Sequence, residues 1–205
     1  MATRPPRSSP LALIVLTLLA EAPMHAYRMQ QLIEERQKGQ IVNVAQRNSI
    51  YQTIERLHRD GLIAVRETVR DERRPERTVY EITAQGDATL RAWLRAMLAA
   101  PAREFPEFPA ALACLPILTP ADALAQLERR VAALDAAIEQ LAAPPPEGTP
   151  ALPRLFLVEN EYRLAVLRAE LRWVRGLVDA LRSGEITWDG AWLHAFAEGA
   201  GPPGG

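Results

Sequence analysis

The apolar residues of the first hundred positions keep helical spacing three times, change to strict alternation, and return to helical spacing. Few architectures accept that order of periods. Residues 11–20 form an apolar run ending near Pro23, with Ser9 as N-cap and Pro10 at the first helical position. Over 24–37, Met29, Leu32, Ile33 and Arg36 hold helical spacing, with Gln31, Glu34 and Glu35 outward and Gly39 as the stop. A third helix is predicted over 47–60, with Ile50, Ile54 and Leu57 as its buried stripe and Gly61 closing it. Ile63, Val65 and Val69 then alternate with Ala64, Arg66 and Thr68, and 78–82 is rich in strand formers. The charged stretch 70–77 between them, which holds Pro75, reads as the exposed tip of a hairpin. Thr83 can cap a fourth helix whose apolar positions are Leu90, Trp93, Leu94, Met97 and Leu98. Helix, helix, helix, hairpin, helix is the order of a winged helix-turn-helix, predicted over 10–100 behind a disordered tail at 1–9.

In that architecture the third helix enters the major groove of DNA. The groove is about 12 Å wide and admits one helix, whose outer side chains meet the base edges. Gln46, Arg47, Ser49, Gln52, Thr53 and Arg56 supply a hydrogen-bonding face of that kind. Gln pairs with adenine and Arg with guanine. On the hairpin, Arg66, Arg70, Arg73, Arg74 and Arg77 are within reach of flanking phosphates or the minor groove. Glu67, Asp71, Glu72 and Glu76 leave that segment a net charge of only +1, so it is a weak phosphate hook.

Three motifs are familiar in this order: Pro23-Met24-His25-Ala26-Tyr27; Ser49-Ile50-Tyr51 leading to Leu57 and Asp60-Gly61-Leu62-Ile63; and Tyr80-Glu81-Ile82-Thr83-Ala84-Gln85-Gly86. Together they resemble the PadR family of bacterial transcriptional regulators. The resemblance implies a cytoplasmic homodimer that binds double-stranded DNA, mostly represses, and responds to small aromatic or cationic ligands. It marks Tyr51, for which packing and a phosphate hydrogen bond stay equally open. It also marks His25 and Tyr27, for which a structural role at a helix start is favoured over ligand chemistry. Ala26, Gln52 and His58 depart from the glycine, proline and glutamate usual in the family, and none of these departures removes a groove-facing donor.

Charge divides along the chain. Residues 1–100 carry 15 Lys+Arg against 11 Asp+Glu, a net +4, while 101–205 carry 9 against 14, a net −5. An anionic partner for the front half alone fits this. Lys38 is the one lysine among 24 cations, a bias that a GC-rich genome also produces. Cys114, as the one cysteine, excludes an intrachain disulfide. His25, His58 and His194 lack metal-ligand spacing, so no metal or cofactor is expected. Residues 1–26 imitate a secretory signal, with Arg4 and Arg7 before the apolar run and Ala20-Glu21-Ala22 after it. Pro5, Pro6 and Pro10 interrupt that pattern, and a buried first helix is the better reading. The run is also too short for a membrane span of roughly 20 residues.

The second half is read as a linker with a short helix over 101–118, a helical dimerisation domain over 119–196 and a disordered tail over 197–205. Thr119-Pro120-Ala121-Asp122 opens a helix with Leu124, Leu127, Val131, Leu134, Ile138 and Leu141 in alternating steps of three and four. The proline-rich stretch 142–150 ends it, and a longer helix over 153–183 repeats the rhythm with Leu164, Leu167, Leu171, Val174, Val178 and Leu181. Two such helices with a short connection pair antiparallel. A second stripe, Tyr162, Ala169, Trp173 and Leu177, is more than one partner helix covers and implies another subunit. Trp188 and Trp192 are expected to cover the end of the bundle.

A ligand-responsive repressor acting as a homodimer on a near-palindromic operator is therefore expected. Trp93, Met97 and Phe105, where the two halves meet, are candidate contacts for a small aromatic effector, with ordinary interface packing as the plainer reading. The second function class is a helical dimeric adaptor or ligand-binding protein that has lost DNA binding, favoured by the modest front charge and acidic hairpin tip. Catalysis is not expected: the sequence holds no phosphate-cradling glycine loop, nucleophile elbow or catalytic carboxylate or histidine constellation.

Overall fold

A computed structural model describes residues 8–42, 48–71, 74–144, 148 and 152–189. The chain divides between Arg103 and Glu104 into two compact units.

In the first unit Ser9 accepts a hydrogen bond from Ala12 N and Pro10 takes the first turn of α1 (Pro10–Glu21). The helix is apolar nearly all round because it is a core element: Ala12, Val15, Leu16, Leu18 and Leu19 are buried. Residues expected to begin the second helix instead form a short strand, β1 (Met24–His25). The His25 imidazole then caps α2 (Ala26–Glu35), its Nδ1 accepting from Arg28 N at 3.0 Å. That fits the structural role expected of His25. The third helix, α3 (Asn48–Arg59), buries Ile50, Ile54 and Leu57 as predicted.

The hairpin strands β2 (Ile63–Asp71) and β3 (Arg74–Ile82) run further into 70–77 than its charged composition suggested. Backbone pairing outweighs the low strand propensity of Arg, Asp, Glu and Pro, and the ladder carries register irregularities between Val65 and Glu67 and between Val69 and Asp71. β1 adds to the other edge of β3, giving an antiparallel sheet in the order β1-β3-β2. Thr83 caps α4 (Ala84–Ala99). Leu90 is buried and Trp93 packs against the core, but Leu94, Met97 and Leu98 lie exposed, so only the first half of the expected apolar face is covered within the unit.

The second unit opens with α5 (Glu107–Ala113), then α6 (Pro120–Ala142), which Thr119 caps, and α7 (Val158–Ser183), which follows a 3-10 turn at Arg154–Phe156. The expected seam is present: Leu127, Leu134, Leu171, Val174, Val178 and Leu181 form its buried centre, with Leu124, Val131, Ile138 and Leu167 packed around them. Arg175 pairs with Asp135 at 2.8 Å and Arg182 with Glu128 at 2.7 Å, partners that move in opposite directions along the two helices and so fix the pair as antiparallel. Arg130 pairs with Glu170 and also lies over the Phe108 ring, 3.5 Å from its centroid, which holds α5 to the pair. Leu177 belongs to the seam rather than to the second stripe. Gly184, at φ 77°, ends α7 in the left-handed region. Trp188 Nε1 donates to Leu118 O at 2.8 Å and closes the end of the bundle, while Trp192 lies outside the described residues. The predicted tail 197–205 and residues 1–7 also lie outside them, whereas Ser9 is part of the fold as a cap.

Candidate nucleic-acid interface

The orientation of α3 is fixed at its C-terminus. Gly61, at φ 72°, donates to His58 O at 3.0 Å, and Leu62 N donates to Leu57 O at 2.9 Å. This is the paired closure of a Schellman motif, with Leu57 and Leu62 both fully buried as its apolar contact. Thr83 joins that turn to α4: its hydroxyl donates to Gly61 O at 2.8 Å and accepts from Gly86 N at 3.0 Å. In the last turn of the helix, Arg56 Nη2 donates to Ser9 Oγ at 3.2 Å, linking α3 to the cap of α1.

With the helix held this way, Ile50, Thr53, Ile54 and Leu57 face the core and Tyr51, Gln52, Glu55, His58 and Arg59 lie exposed. Thr53, expected on the groove-facing side, is only 8% exposed and leaves that set. It stands three residues after Ile50 and four before Leu57, which puts it on their face. Arg56 and Ser49 are half-buried on one flank, and Tyr51, 50% exposed, lies on the other. Gln52 sits near the middle of the outer face. Gln46, Arg47 and Arg73 fall outside the described residues. Arg74 and Arg77 lie on β3, their backbones opposite Asp71 and Val69. Glu55 and His58 also lie on the outer face without belonging to the predicted set of hydrogen-bond donors, although their spacing from Gln52 and Tyr51 marks them.

Elsewhere in the unit, Arg36 grips Glu21 with two hydrogen bonds of 2.7 Å, joining the ends of α1 and α2. The hydrogen bond from Arg36 holds the Glu21 carboxyl below its ordinary range. Of the candidate effector contacts, Trp93 is half-buried against the first unit's core, and Met97 and Phe105 are exposed. No group of His, Cys, Asp or Glu suited to a metal ion occurs among the described residues, and no described helix is long and apolar enough to cross a membrane.

A helix whose core face is apolar and whose outer face is polar, braced by a three-stranded sheet, defines a winged-helix DNA-binding module. Residues 15–92 match the family model "Transcriptional regulator PadR-like family", and together with the winged-helix fold around α3 this match marks a DNA-binding transcriptional regulator. The fold is similar to that of Bacillus subtilis PadR in complex with operator DNA, at 21% identity and a TM-score of 0.54, covering 83% of this chain and 98% of that one. It is similar as well to a PadR-like transcriptional regulator of Bacillus cereus, at 14% identity and a TM-score of 0.56 over 87% of this chain and 99% of that one. Bacillus subtilis PadR in complex with p-coumaric acid gives 18% identity and a TM-score of 0.54, over 85% and 99% of the two chains. No protein of curated function matches the sequence.

Proposed function

We propose that this regulator is a cytoplasmic homodimeric repressor that places one α3 in each half of a near-palindromic operator and releases it on binding a small planar aromatic effector. The observation that carries the DNA reading is the exposed outer face of α3, with Gln52 near its centre and Tyr51 and Arg59 beside it. Ser49 and Arg56 on the flank of the helix are further contacts, and Gln46 and Arg47, which precede it in the sequence, complete the set. Arg73, Arg74 and Arg77 of the wing supply backbone contacts.

Dimerisation is supported by the second face of α7, where Tyr162, Val166, Ala169, Trp173 and Gly176 stand exposed in alternating steps of four and three. A second copy of the same stripe is its natural cover, and the small residues Ala169 and Gly176 permit close approach. Effector binding rests on the p-coumaric acid complex of a protein of like fold. Trp93, Met97 and Phe105 are the proposed contacts.

Recovery and sequencing of genomic DNA bound by the purified protein at two salt concentrations tests this reading. A recurring inverted repeat, retained less as salt rises, is expected. Uniform or absent recovery at low salt would instead favour the helical adaptor.

A further inference from the structure

The outer face of α3 carries one residue that a helix built only to attract DNA would not contain. With Ile50, Thr53, Ile54 and Leu57 turned to the core, the opposite direction is occupied by Gln52, Glu55 and Arg59, at i, i+3 and i+7. Glu55 is exposed, and among the described residues it has no ion-pair partner, although Arg56 is adjacent and Arg59 lies one turn on. An uncompensated carboxylate brought toward two phosphate strands is repelled, so its presence there lowers affinity for DNA in general.

At the floor of the major groove the balance differs by base. Guanine presents two acceptors, N7 and O6, and thymine presents O4; each repels a carboxylate. Adenine offers its N6 amine beside the N7 acceptor, which offsets much of the gain. Cytosine offers its N4 amine alone and is the base edge on which a carboxylate accepts a hydrogen bond with least opposition.

We propose that Glu55 is a specificity-determining residue that accepts a hydrogen bond from the exocyclic amine of a cytosine at one fixed position in each operator half-site. This rests on the reading of α3 as the groove helix. The residue works by exclusion as much as by attraction: where the cytosine is absent, the carboxylate stays desolvated against acceptors and the wrong site is rejected.

Selection from a randomised DNA library by the full chain, compared among the wild type, Glu55→Ala and Glu55→Gln, tests this. The wild type is expected to select a motif with a required cytosine in each half-site. Glu55→Ala is expected to lose the cytosine preference at that position by about ten-fold or more, while the other positions persist and general DNA retention at low salt is equal or tighter. Glu55→Gln is expected to shift the same position toward adenine. A Glu55→Ala motif unchanged at every position, or loss of all DNA binding by folded Glu55→Ala, would overturn the assignment. A wild type that selects no motif would overturn the groove reading of α3 itself, and the Glu55 assignment with it.

Discussion

Gly86 lies so close to Leu62 that a Cβ on its backbone would sit 2.0 Å from the Leu62 carbonyl oxygen. The same carbonyl accepts from Thr83 N at 3.1 Å, so it is fixed from the side of α4 and cannot withdraw without breaking a bond. The turn that ends α3 and the turn that begins α4 are thus one packed unit. This gives a physical reason for the glycine in Thr83-Ala84-Gln85-Gly86.

Gly86→Ala is therefore expected to destabilise the first unit by about 3 kcal/mol or more, toward the severe end for single substitutions. Urea unfolding of wild type and variant measures it. A loss below about 1 kcal/mol would show that the contact relaxes cheaply.

Glu21 and Arg36 give a pH-dependent contribution. The folded-state pKa of Glu21 is depressed from its ordinary 4.5, chiefly by the Arg36 hydrogen bond, so its stabilisation is present above that value and is lost as pH falls through the folded pKa. Both side chains are more than two-fifths exposed, so solvent screening limits the contribution to at most about 1 kcal/mol. The stability difference between wild type and Glu21→Gln should be present at neutral pH and vanish in acid. A difference that grows on acidification would contradict this.

Gln52 and Arg56 should separate in their effects. Gln52 is exposed on the outer face of α3, while Arg56 is half-buried and bonded to Ser9. Gln52→Ala should cost about 1–3 kcal/mol of preference at one base position. Arg56→Ala should cost less discrimination and more fold stability. Competition binding with single-base operator variants, alongside thermal unfolding, checks the ranking, and the reverse order would sink it.

The exposed stripe of α7 predicts its own disruption. Tyr162→Glu with Val166→Glu places charges on that exposed face, at residues outside the α6–α7 seam cluster. Sedimentation equilibrium should show the wild type near twice the 22.7 kDa chain mass and the variant near the single value. An unchanged association state would place the dimer contact elsewhere.

The periodicities carried most of the fold, because burial follows apolar spacing directly: the stripes of α3, α6 and α7 packed where their residues predicted. Thr53 follows the same rule. Its spacing from Ile50 and Leu57 marked it as inward, and its hydroxyl alone suggested otherwise. Arg56 could not be placed from sequence, since its partner Ser9 lies 47 positions away. β1 was not legible either: a two-residue strand has no period, and it exists because β3 offers an edge. Pro75 and the charges around it masked the hairpin's length, since strand propensity reports local preference and the ladder is a cross-strand effect.

On the proposed function, α3 reads the major groove once per half-site. Methylation interference on a selected operator tests it most directly, because dimethyl sulfate modifies guanine at N7, a major-groove atom. Two clusters of interfering guanines about one helical turn apart, on the order of 34 Å, are expected, with those nearest Gln52 losing their effect in Gln52→Ala. Interference confined to minor-groove adenines, or a single cluster indifferent to Gln52→Ala, would contradict the account.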